Sequence, residues 1–136
     1  MNMGYSQLAL AASKLSGQYV EQGNKEAWLD LFAEDACVQD PVGESPLDPT
    51  GKGHIGKAAI AGFWDMVIAA GKIDFTIVSS HPAGDECANV VKMVNMLPGD
   101  VKMTLDMVVV YTANAAGKIT SLKAYWDFDA VQRQLQ

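Results

Sequence analysis

The stretch IAAGKIDFTIVSS, residues 68–80, separates two parts of the sequence that have different periodicities. Before it, apolar residues recur every three or four positions, which is the period of an α-helix. After Gly71, apolar and polar residues alternate, which is the period of a β-strand with one buried face. The change predicts a helical first half followed by a sheet, and therefore an α+β protein.

Three helices are predicted before this point, at about residues 5–22, 25–33 and 57–70. The apolar stripe of the first consists of Leu8, Ala12, Leu15 and Tyr19. Gly23 is expected to end that helix, and Asn24 to cap the next. Residues 36–40 are predicted to form a short strand, and a long loop rich in proline and glycine follows it.

Four strands are predicted from residue 72 onward, because the alternating segments are separated by the turn sequences PAGD, PGD and NAAG. Three N-terminal helices would then pack on a curved, mostly antiparallel sheet. A strongly curved sheet closed by helices forms a cone with an apolar interior. We expect one domain spanning residues 1–136.

Composition excludes several classes of partner. The formal charge is −6 and lysine and arginine do not cluster, which argues against nucleic acid and anionic membranes. The sequence has neither an apolar run of the roughly 18 residues a membrane span needs nor a basic signal-peptide start. Cys37 and Cys87 are expected to be reduced, in a cytoplasmic protein. His54 and His81 lack neighbouring ligands, so neither a metal nor a cofactor is expected.

The segment CVQDPVGESP, residues 37–46, contains the most informative carboxylate. An Asp before a Pro favours extended backbone and turn initiation, so Asp40 has a purely structural interpretation. Alternatively, Asp40 shares strand parity with Ala36 and Val38, which are predicted to face inward. A carboxylate at the rim of an apolar cavity is partly desolvated, which raises its pKa toward the range useful for a general base.

Three segments carry a resemblance to a known family: LFAEDACVQDPVG (31–43), GKAAIAGFWD (56–65) and AAGKITSLKAYWD (115–127). The chain resembles the ketosteroid isomerase branch of the cone-shaped superfamily that includes nuclear transport factor 2 and the SnoaL-type polyketide cyclases. The resemblance covers nearly the whole chain and implies the same cone-shaped α+β fold. It also implies a sheet-to-sheet homodimer. Strand parity places Val108 and Val110 on the outer face, which would be unusually apolar in water, so a homodimer is expected on this ground too.

The resemblance implies that Asp40 is the general base that moves a proton beside a steroid carbonyl. The oxyanion hole of the family is a Tyr on the first helix and a protonated Asp on the third long strand. Here Ser16 occupies the Tyr position and Val109 the Asp position, while Asp106 is expected on the opposite face of its strand. The base is therefore retained, and the known oxyanion donors are missing or rebuilt.

Nine residues are expected to contact a small hydrophobic ligand that contains a carbonyl group: Ser16, Tyr19, Phe63, Trp64, Met103, Met107, Val109, Tyr111 and Trp126. Tyr19, Tyr111, Ser16 or a bound water would donate a hydrogen bond to its oxygen, although both tyrosines also fit a plain core. The leading hypothesis is a steroid delta-isomerase-like enzyme. The alternatives are a non-catalytic protein that binds a sterol-like or polyketide-like ligand, and a SnoaL-type cyclase.

Overall fold

A computed structural model describes residues 4–135 of the chain, so the first three residues and the last one of the predicted domain lie outside it. Four helices and six strands alternate in the order α1 (Gly4–Gln22), α2 (Lys25–Asp30), β1 (Phe32–Gln39), β2 (His54–Ile55), α3 (Lys57–Phe63), β3 (Lys72–Ala83), β4 (Glu86–Leu97), β5 (Val101–Ala113), β6 (Ile119–Tyr125) and α4 (Phe128–Arg133). A π-helical segment, Trp64–Ile68, continues α3. No helix among these residues is both long and apolar enough to cross a membrane.

The six strands form one curved sheet in the order β2–β1–β6–β5–β4–β3. The β1–β6 pair is parallel and the other pairs are antiparallel. The register shifts between Ile77 and Ser79 in the β3–β4 pair and between Thr112 and Ala113 in the β5–β6 pair. Such irregularities bend strands, which helps the sheet curl around the helices. The predicted α+β cone is confirmed.

The first helix packs against the sheet with a different face from the one predicted. Its buried residues are Ala9, Ala12, Ser13, Ser16, Gly17 and Val20, whereas Leu15 is 38% exposed. The small residues allow close approach, since a Cβ at Gly17 would lie 2.7 Å from Phe75 Cδ1. The predicted stripe was therefore wrong at Leu15, because the fit to β3 selects the small-residue face.

The end of the second helix and the content of the long loop also differ from the predictions. The second helix ends at Asp30, not near residue 33, because Phe32 begins β1 and pairs with Ile119 of β6. The loop after Asp40 contains the short strand β2, which pairs with Cys37 and Val38. Both differences come from strand pairing between distant segments, which local periodicity does not report.

The fourth helix was not predicted, and it covers one end of the sheet. Asp127 is exposed and caps α4 by accepting a hydrogen bond of 3.1 Å from the Ala130 N–H. The Gln134 side chain bonds both backbone groups of Thr104, at 2.9 Å to its N–H and 2.8 Å to its carbonyl oxygen. Residues of α4 and the turn after it are thereby held against β5.

Candidate functional site

A cavity of about 280 Å³ lies between the helices and the concave face of the sheet. Its volume is close to the lower end of the roughly 300–1,000 Å³ typical of small-molecule sites. The lining is mainly apolar, with long side chains from β3, β4 and β5 such as Phe75, Met93 and Met107. Among residues 4–135, Asp40 is the one lining residue with a charged side chain. Such a space suits an uncharged, largely apolar molecule.

The parallel β1–β6 pair sets the position of Asp40. Gln39 pairs with Lys123, and beyond the end of β1 the Val42 N–H bonds the Ala124 carbonyl oxygen at 2.9 Å. The chain thus remains beside β6 while it passes Asp40, whose side chain lines the cavity. Local turn preference of the Asp–Pro pair is therefore not the whole explanation of this residue.

The Asp40 carboxyl group combines burial with one directed hydrogen bond. Trp126 Nε1–H donates to Asp40 Oδ1 over 2.5 Å, from a half-buried indole at the end of β6. Burial raises the pKa of Asp40 to about 6, and the Trp126 bond opposes this rise only in part. A carboxyl group in this range is largely ionised at neutral pH and can still carry a proton during turnover.

A second polar group in the cavity is built from two hydroxyls and an indole. Trp28 Nε1–H donates to Ser16 Oγ at 3.0 Å, and the Tyr111 hydroxyl lies 3.2 Å from the same oxygen. All three residues are at most 2% exposed and line the cavity. Burial keeps the pKa of Tyr111 well above its usual value, with the Ser16 bond opposing this and the Asp40 charge adding to it. Tyr111 therefore stays a neutral hydrogen-bond donor.

The Ser16–Tyr111 pair has one hydroxyl proton that is not used in a hydrogen bond within the protein. A hydroxyl has one proton and two acceptor sites. The Ser16–Tyr111 bond uses one of the two hydroxyl protons, and Trp28 supplies its own N–H. Within the described chain no acceptor bonds the second hydroxyl proton, whichever residue carries it. The pair can therefore offer one O–H to a ligand oxygen inside the cavity.

Seven of the nine predicted ligand-contacting residues line the cavity: Ser16, Phe63, Met103, Met107, Val109, Tyr111 and Trp126. Tyr19 and Trp64 do not. Tyr19 packs against the edge of the core, one helical turn past Ser16, and Trp64 packs in the core with its ring centroid 5.1 Å from that of Trp28. Asp106 is exposed on the outer face of the sheet. This agrees with the prediction, because residues three apart on a strand, such as Asp106 and Val109, lie on opposite faces.

Two buried polar members of the lining, Trp28 and Asn95, were not predicted from the sequence. Trp28 lies at an apolar position of the second helix, and nothing in the sequence distinguishes an indole N–H that bonds a distant hydroxyl from one in a plain core. Asn95 belongs to the alternating pattern of β4, at a position where that pattern calls for an apolar residue. This break in the pattern is a signal in the sequence that could have identified it.

Comparison with known proteins identifies a family and a set of relatives with the same fold. A SnoaL-like domain model matches residues 18–122. A steroid delta-isomerase of Nocardioides simplex is 29% identical over 107 residues, which cover 79% of this chain and 80% of that protein.

Solved structures of similar proteins share the fold closely. The delta 5-3-ketosteroid isomerase from a Mycobacterium species is 36% identical, with a TM-score of 0.85. A Mycobacterium tuberculosis protein solved in complex with estradiol-17beta-hemisuccinate is 34% identical, also with a TM-score of 0.85. Both alignments cover 90% of this chain and 95% of the other. The predicted resemblance is confirmed, and the chain belongs to the SnoaL-like domain family, with ketosteroid isomerases among its structural neighbours.

Proposed function

We propose that this protein shifts a carbon–carbon double bond in a hydrophobic, steroid-like ketone and uses Asp40 as the general base. The observation that carries the proposal is the Asp40 carboxyl group, whose pKa burial raises to about 6 in an otherwise apolar cavity. A base is most effective when its pKa lies near the working pH. The steroid delta-isomerase and ketosteroid isomerase among the similar proteins support this class of substrate.

In the proposed reaction, the Asp40 carboxylate removes a proton from the carbon beside the carbonyl. The electron pair of that C–H bond forms the new double bond of a dienolate, and negative charge moves to the oxygen. The same carboxyl group then returns the proton to the far carbon of the original double bond, and the carbonyl reforms. Trp126 bonds Oδ1, so Oδ2 remains for the substrate. No further reactant is consumed.

The developing negative charge on oxygen needs a hydrogen-bond donor that is already in position. We assign this role to the spare O–H of the Ser16–Tyr111 pair, which Trp28 polarises by donating to Ser16 Oγ. Val109, at the position of the family's second donor, is 2% exposed and has no polar atom in its side chain. Loss of one such donor costs on the order of 10²–10³-fold in rate. We therefore expect slow turnover compared with a full family member.

The same substitution favours a second candidate, a binding protein without catalysis. With Val109 in place of an acid, the cavity still accommodates an apolar ligand, and the Asp40–Trp126 pair would serve as its polar anchor. The relative solved with estradiol-17beta-hemisuccinate is compatible with either function.

Steroid isomerisation followed by ultraviolet absorbance tests the proposal. A 5-ene-3-ketosteroid is offered to the wild type, to Asp40→Asn and to Asp106→Asn, a matched control whose carboxylate is exposed. Asn keeps the shape of the side chain but cannot accept a proton at neutral pH. Asp40→Asn should lose most activity and bind a planar phenolic steroid as tightly as before or more tightly, whereas Asp106→Asn should resemble the wild type.

Two outcomes would contradict the proposal. If the wild type binds the phenolic steroid tightly but does not isomerise the ketone, the binding-protein function is correct. If Asp40→Asn turns the ketone over as fast as the wild type, Asp40 is a turn residue and the base lies elsewhere.

A further inference from the structure

Asn95 breaks the apolar inner face of β4. The inward residues of this strand alternate from Cys87 to Leu97, and Asn95 is 2% exposed among them. Its neighbours across the sheet are Ile73 of β3 and Met103 of β5, and all three side chains line the cavity. A buried amide in such surroundings is costly unless its polar atoms are bonded.

A second buried amide on the same strand shows the contrast. Asn89 is 1% exposed, donates from Nδ2 to Ser13 Oγ at 2.9 Å, and accepts at Oδ1 from Cys87 Sγ at 3.3 Å. Asn89 is thus bonded within the protein. In contrast, no described residue bonds the buried Oδ1 of Asn95. The protein therefore leaves a hydrogen-bond acceptor unpaired at a cavity residue, and a donor on a ligand would supply the missing bond.

The backbone makes room for this amide. A Cβ at position 71 would overlap Asn95 Oδ1 and would also lie 2.8 Å from the Met96 carbonyl oxygen. Gly71, three residues after the π-helical segment, must therefore stay small, because any larger residue would displace the amide. Val131 and Leu135 line the cavity too, in and just after the helix that Gln134 holds against Thr104.

Asn95 and Asp40 lie at different levels of the sheet. Gln39 pairs with Lys123 of β6, and the next residue of β6, Ala124, pairs with Val109 of β5, so Asp40 lies close to the level of Val109. Asn95 pairs with Met103, farther along β5. Met103 and Val109 are six residues apart on β5, which corresponds to a distance of about 20 Å along a flat strand. The direct distance across a concave face is shorter. A ligand that touches both residues must be elongated.

We propose that Asn95 determines ligand specificity by accepting a hydrogen bond from a hydroxyl group at the end of the ligand farthest from Asp40. The inference rests on the proposed function for the kind of ligand, an elongated apolar ring system. The unpaired Oδ1 needs a donor, and a ketone could bond only the Nδ2 donors of Asn95, so the group that completes Oδ1 is a hydroxyl. Asn95 touches no reacting atom in this scheme, so it affects the choice of substrate and not the proton transfer.

A series of phenolic steroids tests this role by binding alone. The series comprises 17-deoxyestradiol, estradiol, and a homologue whose hydroxyl is carried on a two-carbon arm at C17. The wild type should bind one of the hydroxylated ligands roughly tenfold more tightly than the deoxy compound, as expected for one buried hydrogen bond. Asn95→Leu should lose that preference. Met93→Leu, which changes an apolar lining residue on the same face of β4, should keep it.

Thermal unfolding of the free proteins supplies an independent measurement. If Oδ1 is unpaired without ligand, Asn95→Leu should melt at the same temperature as the wild type or higher, because a costly buried amide is removed. A lower melting temperature together with unchanged ligand preference would overturn the proposal and make Asn95 a structural residue.

The two proposals fail in distinguishable ways. If the wild type binds all three steroids equally, the role of Asn95 is wrong, and the isomerase assay with Asp40→Asn is unaffected. If the wild type binds none of them, the steroid-like ligand is wrong and the inference about Asn95 falls with it.

Discussion

Replacing Asp40 by Asn should stabilise the protein at neutral pH, and the gain should depend on pH in a defined way. Burial raises the pKa of this carboxyl group from 3.8 to about 6, so the folded state binds its proton more tightly than the unfolded chain does. The stability that Asp40 contributes is therefore fully present below about pH 4 and is lost as the pH rises through 6.

The size of the effect follows from the same values. A rise in pKa from 3.8 to about 6 corresponds to roughly 3 kcal/mol, since each tenfold change in proton affinity is worth 1.36 kcal/mol. Because Asp40 is half-buried as a residue, solvent screening reduces the expected effect to about 2 kcal/mol. Asn avoids this penalty because it carries no charge, and its side-chain oxygen can still accept the Trp126 N–H.

Urea unfolding of both proteins at pH 4, 5, 6 and 7 measures this effect. The free energy of unfolding of Asp40→Asn minus that of the wild type should increase by about 2 kcal/mol from pH 4 to 7. All other titrating groups are common to both proteins and cancel in the difference. Asp106→Asn reports what the loss of an exposed carboxylate does at each pH. A difference that stays constant, or that falls with increasing pH, would refute the assignment of a desolvated carboxyl group at Asp40.

Three further predictions concern activity and assembly. If Asp40 is the base, kcat/KM should be about tenfold lower at pH 5 than at pH 7, following a pKa of about 6; a flat profile would exclude it. Ser16→Ala should lower kcat on the order of 10²-fold; unchanged kcat would remove the hydroxyl pair from the mechanism. Val90 and Val108 are cross-strand neighbours on the outer face, 38% and 40% exposed, so light scattering should give twice 14.6 kDa. Val108→Lys should shift that mass toward the monomer, and a wild-type monomer would contradict the predicted sheet-to-sheet dimer.

Much of the fold was predictable because it depends on local patterns. The change of periodicity near Gly71 predicted the four long strands, and the β4 segment was placed at its observed ends, Glu86 and Leu97. Asn24 caps the second helix as predicted, with its side-chain oxygen accepting from the Ala27 N–H at 3.1 Å. These features rest on residues a few positions apart, so the sequence contains the whole interaction.

Asp40 marks the limit of this kind of prediction. Its motif identified it as a candidate base, and its parity indicated that it faces inward. The partner that orients it, Trp126, is 86 positions away, and the pKa depends on how completely the assembled cavity excludes water. Residue type and spacing do not contain that information, because desolvation is a property of all the surrounding groups together.

The remaining site residues were decided by packing. The first helix turns its small residues toward the sheet, which buries Ser16 between Trp28 and Tyr111 and leaves Leu15 exposed. Hydropathy favours the opposite choice for both residues. Close contact with β3 outweighs it, because a leucine does not fit where the helix backbone approaches the sheet this closely. Whether a serine is a surface residue or a buried donor therefore depends on the rotation of a whole helix, which only the assembled structure determines.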